Sequence, residues 1–230
     1  MTTLTTEPLA SLLDRLFEEA GAASSPAMAA LSHDERERLM RSKTEYLDLY
    51  GRMKDLWLPV SRETGALLYM LARSRGATSI VEFGTSFGIS TLHLAAALRD
   101  NCGNRGSDRG GNRGGGRLIT TEFEPSKVAR ARQNLAEGGL LDLVEIREGD
   151  ALETLRTGLP ATIDLLLLDG AKSLYRDVLK LVEDRLQPGA LIVADNVDYC
   201  PDYLAHIRSA ASGYISVPFA DDIELSMRAA

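Results

Sequence analysis

The stretch IDLLLLDGAK, residues 163–172, runs from four consecutive leucines to an aspartate, Asp169, and three residues later to Lys172. Four leucines in a row belong in a core, yet this run ends on a carboxylate and an amine. The stretch LIVADN (191–196) repeats the pattern, an apolar run ending on Asp195 and Asn196. Working outward, similar β-branched or leucine-rich runs are SIVEF (79–83), RLITTE (117–122), LVEIRE (143–148), IDLLLL (163–168) and ALIVAD (190–195). Helical patterns at 89–99, 126–137, 151–157, 174–186 and 201–210 alternate with them. Fully apolar strands alternating with helices predict an α/β fold with a parallel sheet covered on both faces. The last two runs, YISVPF (214–219) and DIELSMR (222–228), lie too close together to hold a crossover helix. They predict an antiparallel hairpin, hence one reversed strand near the end of the sheet.

Upstream of residue 78 the texture is helical. Leu9, Leu12, Leu13, Leu16 and Phe17 recur at helical spacing, and a second amphipathic run covers 33–50 with Leu39, Tyr46, Leu47 and Tyr50 on one side. GAASSPAMAA separates the two as a loop, Pro59 breaks the chain, and Ser61 caps a helix expected over 62–75. The expected organisation is a helical extension, 1–60, followed by one domain, 61–230. NCGNRGSDRGGNRGGGR (101–117) fits neither texture. It joins a helix to a strand, where about 2–6 residues normally suffice. It reads as a flexible surface insertion. Its arginines keep open a second reading, an RGG-like arm over 105–117 that touches RNA.

Bulk properties narrow the classes. With 230 residues, 44% of them hydrophobic, the chain has ample core for one large domain. A net charge of −7 gives no global attraction to nucleic acid or anionic membrane. No apolar run approaches the roughly 20 residues of a membrane span, and MTTLTTEPLASLLDRLFEEA has no secretory-signal pattern. Cys102 and Cys200 are the only cysteines, which argues against a disulfide framework or structural zinc and makes a reducing cytoplasm the simplest setting. His33, His93 and His206 show no metal-ligand spacing.

In open parallel sheets ligands bind beyond the carboxyl ends of the strands. There the chain delivers Glu82-Phe83-Gly84-Thr85-Ser86-Phe87-Gly88, then Glu122, Gly149-Asp150-Ala151, Asp169, and Asp195-Asn196. One or two of these carboxylates could cap helices, as Asp150 could before residue 151, but five at successive strand ends point to a ligand site. VEFGTSFG is a glycine-containing strand-to-helix turn and not GxGxxG. Glu122 after the second strand suits ribose hydroxyls, a feature common to NAD and S-adenosylmethionine sites. Asp169, Asp195 and Asn196 offer two carboxylates and an amide, a donor set for a hard divalent cation such as Mg²⁺. Beside them Lys172, one of five lysines against 21 arginines, could act as a base with a pKa depressed by burial and by the cation, which arginine cannot do.

Residues 45–230 resemble the metal-dependent class I S-adenosylmethionine O-methyltransferases, the catechol and caffeoyl-CoA group and their bacterial relatives. The resemblance is carried by the ordered set VEFGTSFGIS, TEFEP, EGDA, LLDGAK with Tyr175, LIVADNV and PFADDIELSMR. It implies a Rossmann-like seven-stranded methyltransferase sheet with an antiparallel last strand. It implies that Val60, Glu82, Gly84, Thr85 and Ser90 hold the amino-acid end of the cofactor, with Asp169 alongside. Glu122 would take the ribose, and Asp150 with Ala151 the adenine. Asp169, Asp195 and Asn196 would bind the metal and Lys172 would be the base. Lys172, Asn196 and Glu224 would face the substrate, a small molecule with adjacent oxygens, although Glu224 reads equally as a solvent-facing strand residue. The N-terminal helices would cover the site and build a homodimer. Departures are Ala171, where the plant-type pattern DADK carries an aspartate, and the long Gly/Arg insertion. Rival readings are a methyltransferase acting on a hydroxylated nucleoside in tRNA, an NAD-dependent oxidoreductase, and a non-catalytic binding protein.

Overall fold

The computed structural model describes residues 1–25, 29–103, 116–220 and 222–229. Seven strands form one sheet: β1 (Ser79–Phe83), β2 (Arg117–Glu122), β3 (Val144–Glu148), β4 (Ile163–Leu168), β5 (Leu186–Ala194), β6 (Tyr214–Phe219) and β7 (Ile223–Arg228). Their spatial order is β3-β2-β1-β4-β5-β7-β6. Neighbours from β3 to β5 are parallel, and β7 runs antiparallel to both β5 and β6. The single reversed strand is therefore the last one, slotted between β5 and the edge strand.

The four leucines of β4 show why the sheet needs helices on both faces. Leu165, Leu166, Leu167 and Leu168 are all fully buried. Side chains alternate along a strand, so Leu165 and Leu167 join one buried cluster and Leu166 and Leu168 the other. The first cluster is roofed by α1 (Leu9–Ala22), α4 (Arg62–Arg75), α5 (Ile89–Cys102) and α6 (Pro125–Glu137). The second is covered by α7 (Ala151–Thr154), α8 (Tyr175–Val182) and α9 (Pro201–Ile207). Each buried leucine contributes about 1.5–3 kcal/mol, so the four together anchor β4 between the two helical layers. Leu9, Leu12, Leu13 and Leu16 of α1 share a cluster with Leu92, Leu98 and Leu135.

The expected strands and helices are found, with three informative shifts. The amphipathic run 33–50 is two helices, α2 (His33–Arg41) and α3 (Tyr46–Arg52). Ser42 breaks it: its hydroxyl accepts from the backbone N–H of Thr44 and Glu45, at 3.3 and 3.1 Å, offering the backbone an alternative to the helix. The pattern at 174–186 ends as α-helix at Val182 and tightens into a 3₁₀ turn, Glu183–Arg185. β5 begins at Leu186, earlier than its apolar run, because Leu186 pairs with Ile163 across an irregularity in the ladder. Within the insertion, Asn101 and Cys102 finish α5 and Arg117 opens β2. Residues 104–115, and with them most of the proposed RNA arm, lie outside the described residues. Among the described residues no helix is long and apolar enough to cross a membrane.

The register places the site. The chain winds from β1 out to β3, then from β4 out to β5, so strand order reverses between β1 and β4. A crevice opens at such a switch point. Phe83 pairs with Leu168, and Leu168 with Ala194, which brings Gly84, Asp169 and Asp195 to one level. Hydrogen bonds extend the ladder there, from Asp169 N to Phe83 O at 2.8 Å and from Asp195 N to Leu168 O at 3.0 Å.

Candidate active site

An open cleft of about 880 Å³ lies over the switch point. Val60, Gly84, Thr85, Ser90, Glu122, Asp150, Ala151 and Asp169 all line it. Gly84 has φ +107°, and a Cβ there would sit 2.4 Å from the carbonyl oxygen of Asp169. Only glycine permits this approach of the β1 and β4 ends. Glu122 is fixed by the backbone N–H groups of Ser86 (2.9 Å) and Glu124 (3.0 Å). Burial raises its pKa against those hydrogen bonds and the nearby Lys127 ammonium. Asp150 caps α7 through Leu152 N at 2.9 Å and also accepts from the Tyr46 hydroxyl at 2.6 Å. Thr85 shares its hydroxyl with Thr120 Oγ1 at 2.6 Å, so its side chain is turned inward.

Glu82 stands one layer behind the lining. Fully buried, it accepts from Ser90 Oγ and Thr91 Oγ1, each at 2.6 Å. Burial pushes its pKa up to about 7 in spite of these bonds.

Several cleft residues carry no strand-end signature and escape a reading of the sequence by pattern. Tyr46 and Tyr50 enter from α3, and Tyr50 donates to Gly170 O at 3.2 Å. Trp57, the one tryptophan of the chain, stacks on Phe87 with centroids 4.1 Å apart. Lys127 is 4% exposed, donates to Leu56 O at 3.2 Å and sits 5.2 Å over the Phe87 ring. The segment before Pro59 is thereby clamped onto the turn after β1. A lone tryptophan two residues before a proline was the available signal.

At the lower edge of the cleft lies the second group. Lys172 is 6% exposed, and its Nζ donates to Asp169 Oδ1 at 2.7 Å and to Tyr175 Oη at 3.0 Å. Tyr175 in turn donates to Asp195 O at 2.8 Å, locking the amine between β4 and β5. The sequence led to the expectation of a lysine pKa lowered by burial and by a bound cation; the protein's own charges act in the opposite direction. Burial lowers it, but Asp169, then Tyr50 and Asp195, raise it more, so Lys172 is held above its ordinary range. Asp195 is pushed up by burial and then by the adjacent Asp169 carboxylate.

Asn196 adopts φ +51°, a left-handed conformation that asparagine tolerates better than most residues. Its Nδ2 donates to Asp222 Oδ2 at 2.7 Å. Asp222, which carries no strand-end signature in the sequence, thereby orients the amide. Among the described residues no group of three or more His, Cys, Asp or Glu is placed to hold a metal. The candidate donor set, Asp169, Asp195 and Asn196, is instead two carboxylates and an amide oxygen. Mutual repulsion between Asp169 and Asp195 is what a hard divalent cation would relieve, and the set fits such an ion with water and substrate oxygens completing it.

Glu224 needs correction. It does not face the cleft, nor solvent. Its fully buried carboxylate is gripped by Arg208 Nε (2.8 Å) and Nη2 (2.5 Å) and by Ser216 Oγ (2.6 Å). Burial would raise its pKa, but Arg208 and Ser216 outweigh this and hold it below the usual carboxylate range. Register explains the place: Glu224 pairs with Ala194 and Pro218 inside the sheet, whereas Asp222 precedes the strand and can reach Asn196.

Comparison with known proteins agrees with this architecture. A family model described as a methyltransferase domain matches residues 81–197, just over half of the chain. Catechol O-methyltransferase of Niastella koreensis is 34% identical over 143 residues, covering 61% of this chain and 58% of that protein. Catechol O-methyltransferase B of Danio rerio is 31% identical over 188 residues, covering 77% and 65%. The chain therefore spans less than two thirds of the length of these relatives. The crystal structure of the O-methyltransferase TomG from Streptomyces achromogenes, in complex with SAM, superposes with a TM-score of 0.60 at 27% identity, over 89% of this chain and 94% of that one. The fold and the crevice define a class I methyltransferase architecture. The chain belongs to the methyltransferase domain family.

Proposed function

We propose that the protein is an S-adenosylmethionine-dependent O-methyltransferase whose acceptor is a small molecule with adjacent oxygens. The observation that carries this reading is Lys172, a buried amine locked by Asp169 and Tyr175 where the cleft meets the Asp169, Asp195 and Asn196 donors. The cleft would take the cofactor, with Glu122 on the ribose, Asp150 and Ala151 at the adenine, and Val60, Gly84, Ser90 and Glu82 around the amino-acid end. Asp169, Asp195 and Asn196 would hold a divalent cation, for which Mg²⁺ is our expectation; when bound it would acidify an acceptor hydroxyl. With the charges of Asp169 and Asp195 engaged by that cation, Lys172 would lose the carboxylates that hold it protonated, and its Nζ would take the proton of that hydroxyl. The cofactor, when bound, would supply the methyl group to the acceptor oxygen, a C–O bond forming as its C–S bond breaks and the electron pair stays on sulfur. The chain's share of catalysis is positioning, chiefly through Tyr175 on Lys172 and Asp222 on Asn196. Relatives named for catechol support a small acceptor over a nucleoside in tRNA.

The test is transfer of labelled methyl from S-adenosylmethionine to catechol with Mg²⁺ and with EDTA, beside calorimetric binding of the cofactor. Metal-dependent transfer is expected. Binding of the cofactor without transfer to any catechol discards the acceptor class, and no binding discards the activity.

Glu82 gives a pH signature. Its raised pKa of about 7 means the free protein holds a proton there below neutrality. The cationic amino-acid end of the cofactor favours the ionised carboxylate. Cofactor affinity is therefore expected to fall by up to about tenfold per unit as pH drops below about 7, with one proton released on binding. Calorimetry in buffers of different ionisation enthalpy reads that proton. In Glu82→Gln the pH dependence should disappear; an unchanged slope would free Glu82 of this role.

A further inference from the structure

We propose that a second cavity, on the far side of Lys172 from the cofactor cleft, is an anion subsite selecting acceptors that carry an acidic substituent; this rests on the O-methyltransferase reading. About 350 Å³ of space opens there between α2, α8 and the turn after β5. Lys172 lines this cavity, whereas the residues just before it, Asp169 to Ala171, line the cleft. A molecule presenting its hydroxyl to Lys172 would extend its remainder this way.

The charges around the cavity are one-sided. Arg41, Lys43 and Arg176 line it together with Lys172; the one acid of the lining, Asp202, is 76% exposed and 3.8 Å from Lys43, whose ammonium is already paired with Asp177 at 2.9 Å. This occurs in a chain of net charge −7. The two guanidinium groups are not saturated. Arg41 reaches Glu37, and Arg176 reaches Glu183, only at 3.9 Å, beyond the roughly 2.7–2.9 Å of a charge-assisted hydrogen bond. Nη1 of Arg176 is buried with no hydrogen-bond partner among the described residues.

These cations are also tied to the base. Ser173 Oγ donates to Ser42 O at 2.8 Å, joining the residue after Lys172 to the residue between Arg41 and Lys43. The Arg41 guanidinium lies 5.8 Å from the Tyr199 ring centroid, and Cys200 donates to Lys172 O at 3.1 Å. A planar fork beside a fixed amine suits a carboxylate, which it can bind bidentately. The favoured acceptor class is thus a dihydroxylated aromatic acid.

The experiment compares 3,4-dihydroxybenzoic acid with its methyl ester, by calorimetry on the full chain with Mg²⁺ and S-adenosylhomocysteine. Wild type, Arg41→Met and Lys43→Met are used, each checked for an unaltered melting temperature. The wild type should bind the acid about tenfold tighter than the ester, and the ratio should approach one in at least one variant. Equal binding of acid and ester by the wild type, or a preference surviving in both variants, overturns the subsite while metal-dependent ester binding leaves the O-methyltransferase reading standing. Binding of neither compound overturns both.

Discussion

Replacing Lys172 with methionine is expected to lower kcat by about 10²–10⁴-fold, the usual worth of a positioned general base. The loss should fall on kcat with little change in cofactor affinity, because Lys172 lies outside the lining of the cofactor cleft. Lys172→Arg should not rescue it: a guanidinium stays protonated and accepts nothing. A second effect separates chemistry from folding. Lys172 and Asp169 form a 2.7 Å ion pair with side chains only 7% and 12% exposed. Removing one partner of such a pair costs about 3–5 kcal/mol, or roughly 2–4 °C of melting temperature per kcal/mol in a chain of this size. Added Mg²⁺ should restore part of that, since the ion replaces the lost ammonium beside Asp169. Rates must therefore be compared at saturating Mg²⁺, below the melting point of the variant. A loss under tenfold in that assay would take the proton-accepting role away from Lys172.

The sheet was legible because its strands obey a rule that sequence expresses directly. β1, β2, β4 and β6 begin and end where their apolar runs do, and the short gap before Ile223 announced the reversed strand. Strand ends were legible for the same reason: polar residues that close a fully apolar run must sit at the rim, and Glu122, Asp169 and Asp195 do. Other features arise from contacts between distant segments, which a linear pattern does not contain. The Tyr46 hydroxyl reaches Asp150 across 104 positions of chain, and Lys127 reaches Leu56 O across 71. Glu224 was misread because alternation along β7 settles only which face a side chain takes. Arg208 on that face decided its fate. The lowered pKa expected of Lys172 rests on burial together with a bound cation; the linear pattern did not show that Asp169 and Asp195 raise it when no ion is there.

Asp195→Asn is expected to raise the stability of the metal-free protein while removing its metal-dependent activity. In the free protein Asp195 is buried and faces Asp169, and both causes raise its pKa. A carboxyl whose folded-state pKa is raised weakens folding once pH exceeds its unfolded value of about 3.9, and the penalty grows until the folded group itself ionises. Asparagine keeps the shape and removes the charge, so the metal-free variant should gain on the order of 1–3 kcal/mol at neutral pH. Near pH 3 the advantage should vanish, because both forms are then neutral. Mg²⁺ reverses the ranking. The ion should bind only the folded wild type with both carboxylates and stabilise it in proportion to ln(1 + [Mg²⁺]/Kd), whereas the variant would have lost half of its charged donors and should show little upward shift. Thermal melts of both proteins at pH 7.5, with EDTA and then with Mg²⁺ at millimolar concentration, measure all of this. Crossing melting temperatures are the expected result. They would mean that the protein keeps an unfavourable pair of carboxylates in its fold for the sake of the ion. A variant less stable than wild type in EDTA, with an undiminished response to Mg²⁺, would place the ion elsewhere and leave Asp195 as a structural residue of the β5 end.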